Sequence, residues 1–207
     1  MKQKNILKLL SQTGAILTND HFVGTSGLHF DTYVNKDVIT QNPKVLDKLA
    51  KTLAKKTKGI EFDVIVAPAM GAIILGSYVA FYTETETSVF CEKDSEAKNG
   101  FVFKRGYQHL IKGKKVLVVE DILNTGKSSK QTIDTVEEYG GKVVALAALV
   151  NRGGVTKKQL GVKRLITLAN INLKTYKEKE CPFCKAGKPV NTEIGHGAKF
   201  LEKLKQS

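Results

Sequence analysis

The sequence has no tryptophan, and aromatic residues make up only 7% of its 207 positions. That scarcity disfavours an aromatic stacking platform for single-stranded nucleic acid. Only four prolines occur and no low-complexity tract is present, which argues against a disordered linker between two equal halves. No apolar run approaches the roughly 18 residues that a membrane-spanning helix needs. The N-terminal stretch from Met1 to Leu10 is basic and then briefly apolar, but polar residues interrupt it and no small-residue cleavage site follows. A signal peptide is therefore not expected, and the chain reads as cytoplasmic. Three cysteines are an odd number for a disulfide framework, in keeping with a reducing compartment.

What is present is a core-forming composition and a strong positive charge. With 42% hydrophobic residues the chain can bury one substantial core, so a single domain with small appendages is expected. The net charge of +13 favours anionic partners, among them nucleic acid, nucleotides and multiply phosphorylated sugars. For many of the lysines a plain solvated surface explains the residue equally well.

Hydrophobic periodicity organises the chain. Ile6, Leu9 and Leu10 predict a helix over 3–13. Residues 14–38 read as short β-prone pieces punctuated by glycine, including Thr32-Tyr33-Val34. Asn42-Pro43 supplies a cap and a first-turn proline for a helix to about Lys56. Continuous apolar runs at Phe62–Ala67, Ser88–Cys91, Lys115–Glu120 and Lys142–Val150, with a fifth at Leu165–Ala169, predict strands covered on both faces. Helical patterns lie between them at 71–82 and 127–139. This alternation means an α/β fold, an open and mainly parallel twisted sheet flanked by helices, preceded by a small N-terminal hood. The expected boundaries are 1–40 for the hood, 41–173 for the core and 174–207 for a C-terminal extension. Ligands of such sheets bind at the carboxyl ends of the strands, here after 67, 120 and 150.

The loop after the third run is the most informative stretch. Val116–Asp121 is an apolar strand ending in two adjacent carboxylates, Glu120 and Asp121, and Leu123-Asn124-Thr125-Gly126-Lys127-Ser128 leads into a helix. A helix N-terminus with unpaired N–H groups binds phosphate, and Gly126 allows close backbone approach. Thr125, Ser128 and Ser129 add hydroxyl donors, while two carboxylates can take ribose hydroxyls or a magnesium ion. Gly126-Lys127-Ser128 ends like a Walker A loop, but that motif needs glycine where Asp121 stands.

The run Val118-Val119-Glu120-Asp121-Ile122-Leu123-Asn124-Thr125-Gly126-Lys127-Ser128 resembles the PRPP-binding signature of the type I phosphoribosyltransferases, with Asn124 and Lys127 departing from its commoner residues. Further stretches, covering roughly 1–155, resemble the orotate phosphoribosyltransferases. The segment around Thr25 and Tyr33 is similar to the base-pocket segment, with Thr25 standing where those enzymes have lysine. Ala69, Met70 and Gly71 match the loop that holds pyrophosphate through backbone amides, although its usual tyrosine-lysine pair is missing. Arg152 follows a strand, and the resemblance implies that it pairs with the orotate carboxylate.

The resemblance further implies that 92–109 is a catalytic flap reaching into a neighbouring subunit, hence a homodimer. Lys93, Lys98, Lys104 and Arg105, with Asp121, are the candidate catalytic residues, and His109 is a weaker one. Mg2+ is the implied cofactor, and PRPP and orotate are the implied substrates. Two other readings remain open: transfer to another base such as a purine, and a PRPP-sensing regulator that holds RNA or DNA. The basic flap favours an enzyme, so nucleic acid is not the expected partner.

The tail carries Cys181-Pro182-Phe183-Cys184 and resembles an extension of some bacterial and archaeal members. Its spacing suits zinc, but no second C-x-x-C follows. His196 is the one later ligand candidate, and a fourth would have to be Cys91, His109 or a residue of a partner subunit. A reduced thiol pair is the preferred reading, redox chemistry a third one, and no metal ligand is assigned.

Overall fold

The computed structural model describes every residue except Thr25 and Ser207, and the side chains of residues 205 and 206 are also left undescribed. Helix α1 (Gln3–Gln12) buries Ile6 and Leu10. Four two-residue strands follow: β1 (Ile16–Leu17), β2 (Phe22–Val23), β3 (His29–Phe30) and β4 (Tyr33–Val34). β1 pairs with β4 and β2 with β3, both antiparallel. After the short α2 (Lys36–Thr40) comes α3 (Pro43–Lys56). The Asn42 side chain caps α3 by accepting a hydrogen bond from the Val45 N–H at 3.2 Å, and Pro43 opens the first turn.

The remaining elements build the central sheet. They are β5 (Val64–Pro68), α4 (Ile73–Thr83), β6 (Thr87–Lys93), β7 (Phe101–Val102), β8 (Lys115–Leu123), α5 (Lys127–Glu138), β9 (Lys142–Asn151), α6 (Lys157–Leu160) and β10 (Leu165–Asn170). The sheet order is β10-β9-β8-β5-β6-β7, parallel except for the antiparallel edge strand β7. Period-2 alternation divides the strands between two cores. Ile65, Leu117, Val119 and Ala147 pack with α1, α3 and α4. Val64, Val66, Val116 and Val118 pack on the other face, against Ile133 and Val136 of α5. This explains why the strand sequences are continuously apolar.

The mainly parallel α/β sheet expected from the sequence is therefore present. The flap segment differs in detail from a simple loop. Glu92 and Lys93 pair with Val102 and Phe101, and Phe101 and Phe103 are buried in the α5-side core. A two-residue strand in a charged stretch leaves no periodicity to read. Beyond β10, α7 (Pro182–Lys185) and α8 (Gly197–Gln206) complete the chain. The tail returns to the N-terminal hairpin through paired backbone hydrogen bonds between His29 and Tyr176, 2.8 and 2.9 Å long. No described helix is long and apolar enough to cross a membrane.

Candidate active site

A cavity of about 430 Å3 opens at the carboxyl ends of β5 and β8. Its walls are Ala69, Met70 and Gly71 after β5, Lys93 at the end of β6, Lys36, and the whole run from Glu120 to Ser129. Gly126 caps α5 at φ +77°, and a Cβ there would come within 3.0 Å of a Val155 methyl group. Both restrictions favour glycine. The first backbone N–H groups of α5 thus face the cavity with the positive end of the helix behind them.

Strand alternation sends the two carboxylates in different directions. Glu120 turns toward α5, where Ser129 Oγ donates to its Oε2 at 2.9 Å. It is almost fully buried, and burial followed by the neighbouring Asp121 charge raises its pKa well above the ordinary value, against the opposing Ser129 hydrogen bond. Asp121 turns toward the β5 loop. Its Oδ1 accepts from the Ile122 N–H at 2.6 Å, and its Oδ2 lies 3.8 Å from Lys36 Nζ. A Cβ on Gly71 would overlap that carboxylate, so the loop comes this close only with glycine.

A second cavity of about 460 Å3 shares Asn124 and Thr125 with the first and is lined by Arg152. The Arg152 guanidinium stands 5.6 Å from the Phe30 ring centre and 5.7 Å from that of Tyr33. Its Nε and Nη1 are buried and have no hydrogen-bond partner among the described residues. Burial also lowers its pKa from the usual arginine value. The turn carrying it is held by reciprocal hydrogen bonds: Asn151 Nδ2 donates to Val155 O at 2.8 Å, and Val155 N–H donates to Asn151 Oδ1 at 3.0 Å.

A family profile described as phosphoribosyl transferase domain matches residues 35–178. The chain is 35% identical over 191 residues to a protein named orotate phosphoribosyltransferase from Thermoanaerobacter sp. (strain X514), covering 92% of this chain and 96% of that one. It is also 35% identical over 195 residues to one of the same name from Thermotoga maritima, covering 94% and 100%. The chain belongs to the phosphoribosyltransferase family. A crystal structure of orotate phosphoribosyltransferase from Aeropyrum pernix superposes with a TM-score of 0.63 at 21% identity, over 79% of this chain and 92% of that one, and shares the fold.

In this phosphoribosyltransferase the residues singled out from the sequence are distributed unevenly. Ala69, Met70, Gly71, Lys93, Glu120, Asp121 and Leu123 through Ser128 line one cavity. Arg152 and Tyr33 meet beside the second, whereas Thr25 lies outside the described residues. Lys98, Lys104 and Arg105 are exposed and do not line the cavity of their own chain. Arg105 is paired with Glu92 and sits over Phe90, and Lys104 is 4.0 Å from Asp94. His109 is exposed on a 3-10 turn.

Two site residues escaped sequence reading. Lys36 is one of many lysines and no motif marks it, while Phe30 sits in a two-residue strand whose partner Phe22 is eight positions away. The pairing of Phe30 with Tyr33, stacked at 17° and 6.4 Å, was the available signal, as two aromatics in an aromatic-poor chain.

Proposed function

We propose that the chain is a cytoplasmic orotate phosphoribosyltransferase, transferring ribose 5-phosphate from PRPP to orotate to give orotidine 5-monophosphate and pyrophosphate. One observation carries this reading. Arg152 holds two buried, unpartnered guanidinium nitrogens over Phe30 and Tyr33, next to the phosphate-loop cavity. Buried donors left without acceptors cost stability unless a ligand completes them. A planar carboxylate on an aromatic base gives a guanidinium fork a charge-assisted bidentate partner, stronger than the neutral acceptors a purine would offer. The names of the similar proteins support the same substrate.

Each wall of the first cavity then has a role. The backbone N–H groups and hydroxyls of 123–128 hold the 5-phosphate, with Lys127 adding charge. Glu120 and Asp121 receive the ribose hydroxyls, and the backbone of Ala69, Met70 and Gly71 faces the pyrophosphate. In the reaction the C1–oxygen bond to pyrophosphate breaks as a ring nitrogen of orotate bonds to C1, and the proton of that nitrogen passes to the departing pyrophosphate or to solvent. Positive charge at Lys36 and Lys93 offsets the charge gathering on the departing group. Asp121 opens onto the cavity while Glu120 lies behind it, raised toward its neutral form by burial first and by the Asp121 charge second, so a divalent cation near Asp121 would relieve that repulsion. Mg2+ would be held there largely through water and would supply countercharge to the pyrophosphate.

The exposed flap cations Lys98, Lys104 and Arg105 serve the partner's site in a homodimer. An apolar stripe supports the pairing: Met70 is 80% exposed, Ile74 45% and Phe81 77%, spaced along the start and one side of α4. In this arrangement 1–40 forms the hood over the base, 41–173 the catalytic core and 174–207 the extension that buttresses the hood.

The test is a side-by-side assay of pyrophosphate release with orotate, uracil, hypoxanthine, guanine, adenine and xanthine, in the presence of PRPP and Mg2+. Turnover with orotate alone is expected. No turnover with orotate would overturn the reading.

A further inference from the structure

The C-x-x-C of the tail does not stand alone, and its companions are not those the sequence offered. His196 bonds through its backbone N–H to Val23 O. Cys91 is buried in the α5-side core, near Thr132, where burial pushes its thiol up to about 12. Instead Cys181 and Cys184 meet His21 and His29 of the N-terminal hairpin, and the four ligand atoms all lie within 4.8 Å of one another. Three of the four residues are buried.

The geometry around one nitrogen is telling. His21 Nε2 lies 2.8 Å from His29 Nδ1, 3.7 Å from Cys181 Sγ and 3.7 Å from Cys184 Sγ. Cys184 Sγ is in turn 3.4 Å from His29 Nδ1. An imidazole nitrogen has a single lone pair, so it cannot accept three hydrogen bonds. Four such atoms around a shared centre need only one occupant. Bonds of about 2.0–2.1 Å to nitrogen and 2.3 Å to sulfur in a tetrahedron put nitrogen and sulfur about 3.6 Å apart. The three nitrogen–sulfur separations of 3.7, 3.7 and 3.4 Å match that edge, while the two nitrogens, 2.8 Å apart, must part by about half an ångström to seat the ion. His21 Nδ1 is 2.8 Å from the Lys188 carbonyl, and a proton donated there leaves the Nε2 lone pair aimed at the centre. The remaining nitrogen, His29 Nε2, is buried without a hydrogen-bond partner among the described residues, beside the Phe200 ring that meets the His29 ring at 87°.

We infer that His21, His29, Cys181 and Cys184 form a structural zinc site that ties the C-terminal extension to the N-terminal hairpin. Zn2+ binds two thiolates and two neutral imidazoles, and the two thiol protons are released to solvent. The resulting centre is electrically neutral, which suits its burial. All four positions are taken by protein, so the site is closed and has no catalytic vacancy. Its consequence is local. His29 is the neighbour of Phe30, and the backbone bridge to Tyr176 already brings the tail alongside. A metal crosslink over more than 150 residues of sequence fixes a hairpin too small to hold itself. The inference stands whatever base the enzyme accepts.

The full chain, purified under reducing conditions without chelator, is expected to carry about one zinc per chain by elemental analysis. Replacement by Co2+ should give the intense visible bands and thiolate charge-transfer absorption of a tetrahedral S2N2 site. Cys184→Ser and His29→Gln should each lose stoichiometric zinc, whereas His196→Gln should keep it. If those variants fail to fold, the metal content and the Co2+ spectrum of the unaltered chain decide alone. Absence of zinc with only a weak octahedral Co2+ spectrum would overturn the site. So would stoichiometric iron in place of zinc, or a Cys181–Cys184 disulfide in the metal-free protein.

Discussion

Lys36 Nζ lies 3.8 Å from Asp121 Oδ2, so a cation from the N-terminal segment meets the acidic strand end across the mouth of the phosphate-loop cavity. The Lys36 side chain is 44% exposed, and such a contact is worth about 0–1 kcal/mol of stability. Its value is instead to a polyanionic ligand entering the cavity. Lys36→Gln is expected to leave the melting temperature nearly unchanged and to raise KM for PRPP about tenfold. Steady-state kinetics beside thermal unfolding checks this. A large stability loss with unchanged KM would make Lys36 structural.

Glu120 predicts a pH dependence. Its pKa in the folded chain is raised by burial first and by Asp121 second, so its neutral form is the one that folding favours. The associated stabilisation is complete below its ordinary value of 4.5 and is lost as pH rises through the higher folded value. Glu120→Gln does not titrate. In the absence of PRPP, the stability of the variant relative to the parent should therefore rise between acidic and neutral pH. Denaturant unfolding across a pH series measures it, and parallel curves would refute it. Activity should fall about a hundredfold, since the ribose loses a carboxylate partner.

Much of this site could be read before any coordinates. The run Val116–Asp121 has to be a strand covered on both faces, and Gly126 before a helical pattern has to be a turn at a helix N-terminus. Local chemistry carried that part: β8 and α5 lie within a residue or a few of where periodicity puts them. What stayed hidden depends on distant partners. Lys36 gains meaning only when α2 comes opposite β8, and His21 gains it only when the tail folds back 160 residues later. The sequence offers His196, Cys91, His109 or a partner subunit as companions of the C-x-x-C and gives no sign of His21 and His29, because spacing in a chain shows neighbours and not returns. The flap was hidden for another reason: its anchors, Phe101 and Phe103, form too short a pattern to separate from a loop.

Arg152 should separate base recognition from PRPP binding. Its buried Nε and Nη1 await an acceptor, and losing one partner of a buried charged pair costs about 2–5 kcal/mol, roughly 30-fold or more in affinity. Arg152→Lys keeps the charge but not the fork. The expected result is a rise of that size in KM for orotate with the Kd for PRPP unchanged, measured by kinetics and calorimetry. Equal losses for both substrates would show that Arg152 holds the loop and not the base.

The flap can be tested by mixing subunits. Lys98 and Lys104 are exposed and outside their own chain's cavity, whereas Asp121 is inside it. A Lys98→Ala/Lys104→Ala chain and an Asp121→Asn chain are each expected to be nearly inactive. Unfolded, mixed in equal amounts and refolded together, they form hybrid dimers. If the flap works across the interface, each hybrid has one site with both an intact Asp121 and an intact flap, restoring about a quarter of the parent activity. A flap acting within its own chain restores none. Phe81→Glu on the exposed side of α4 should abolish both the dimer and the rescue, as read by sedimentation and by assay.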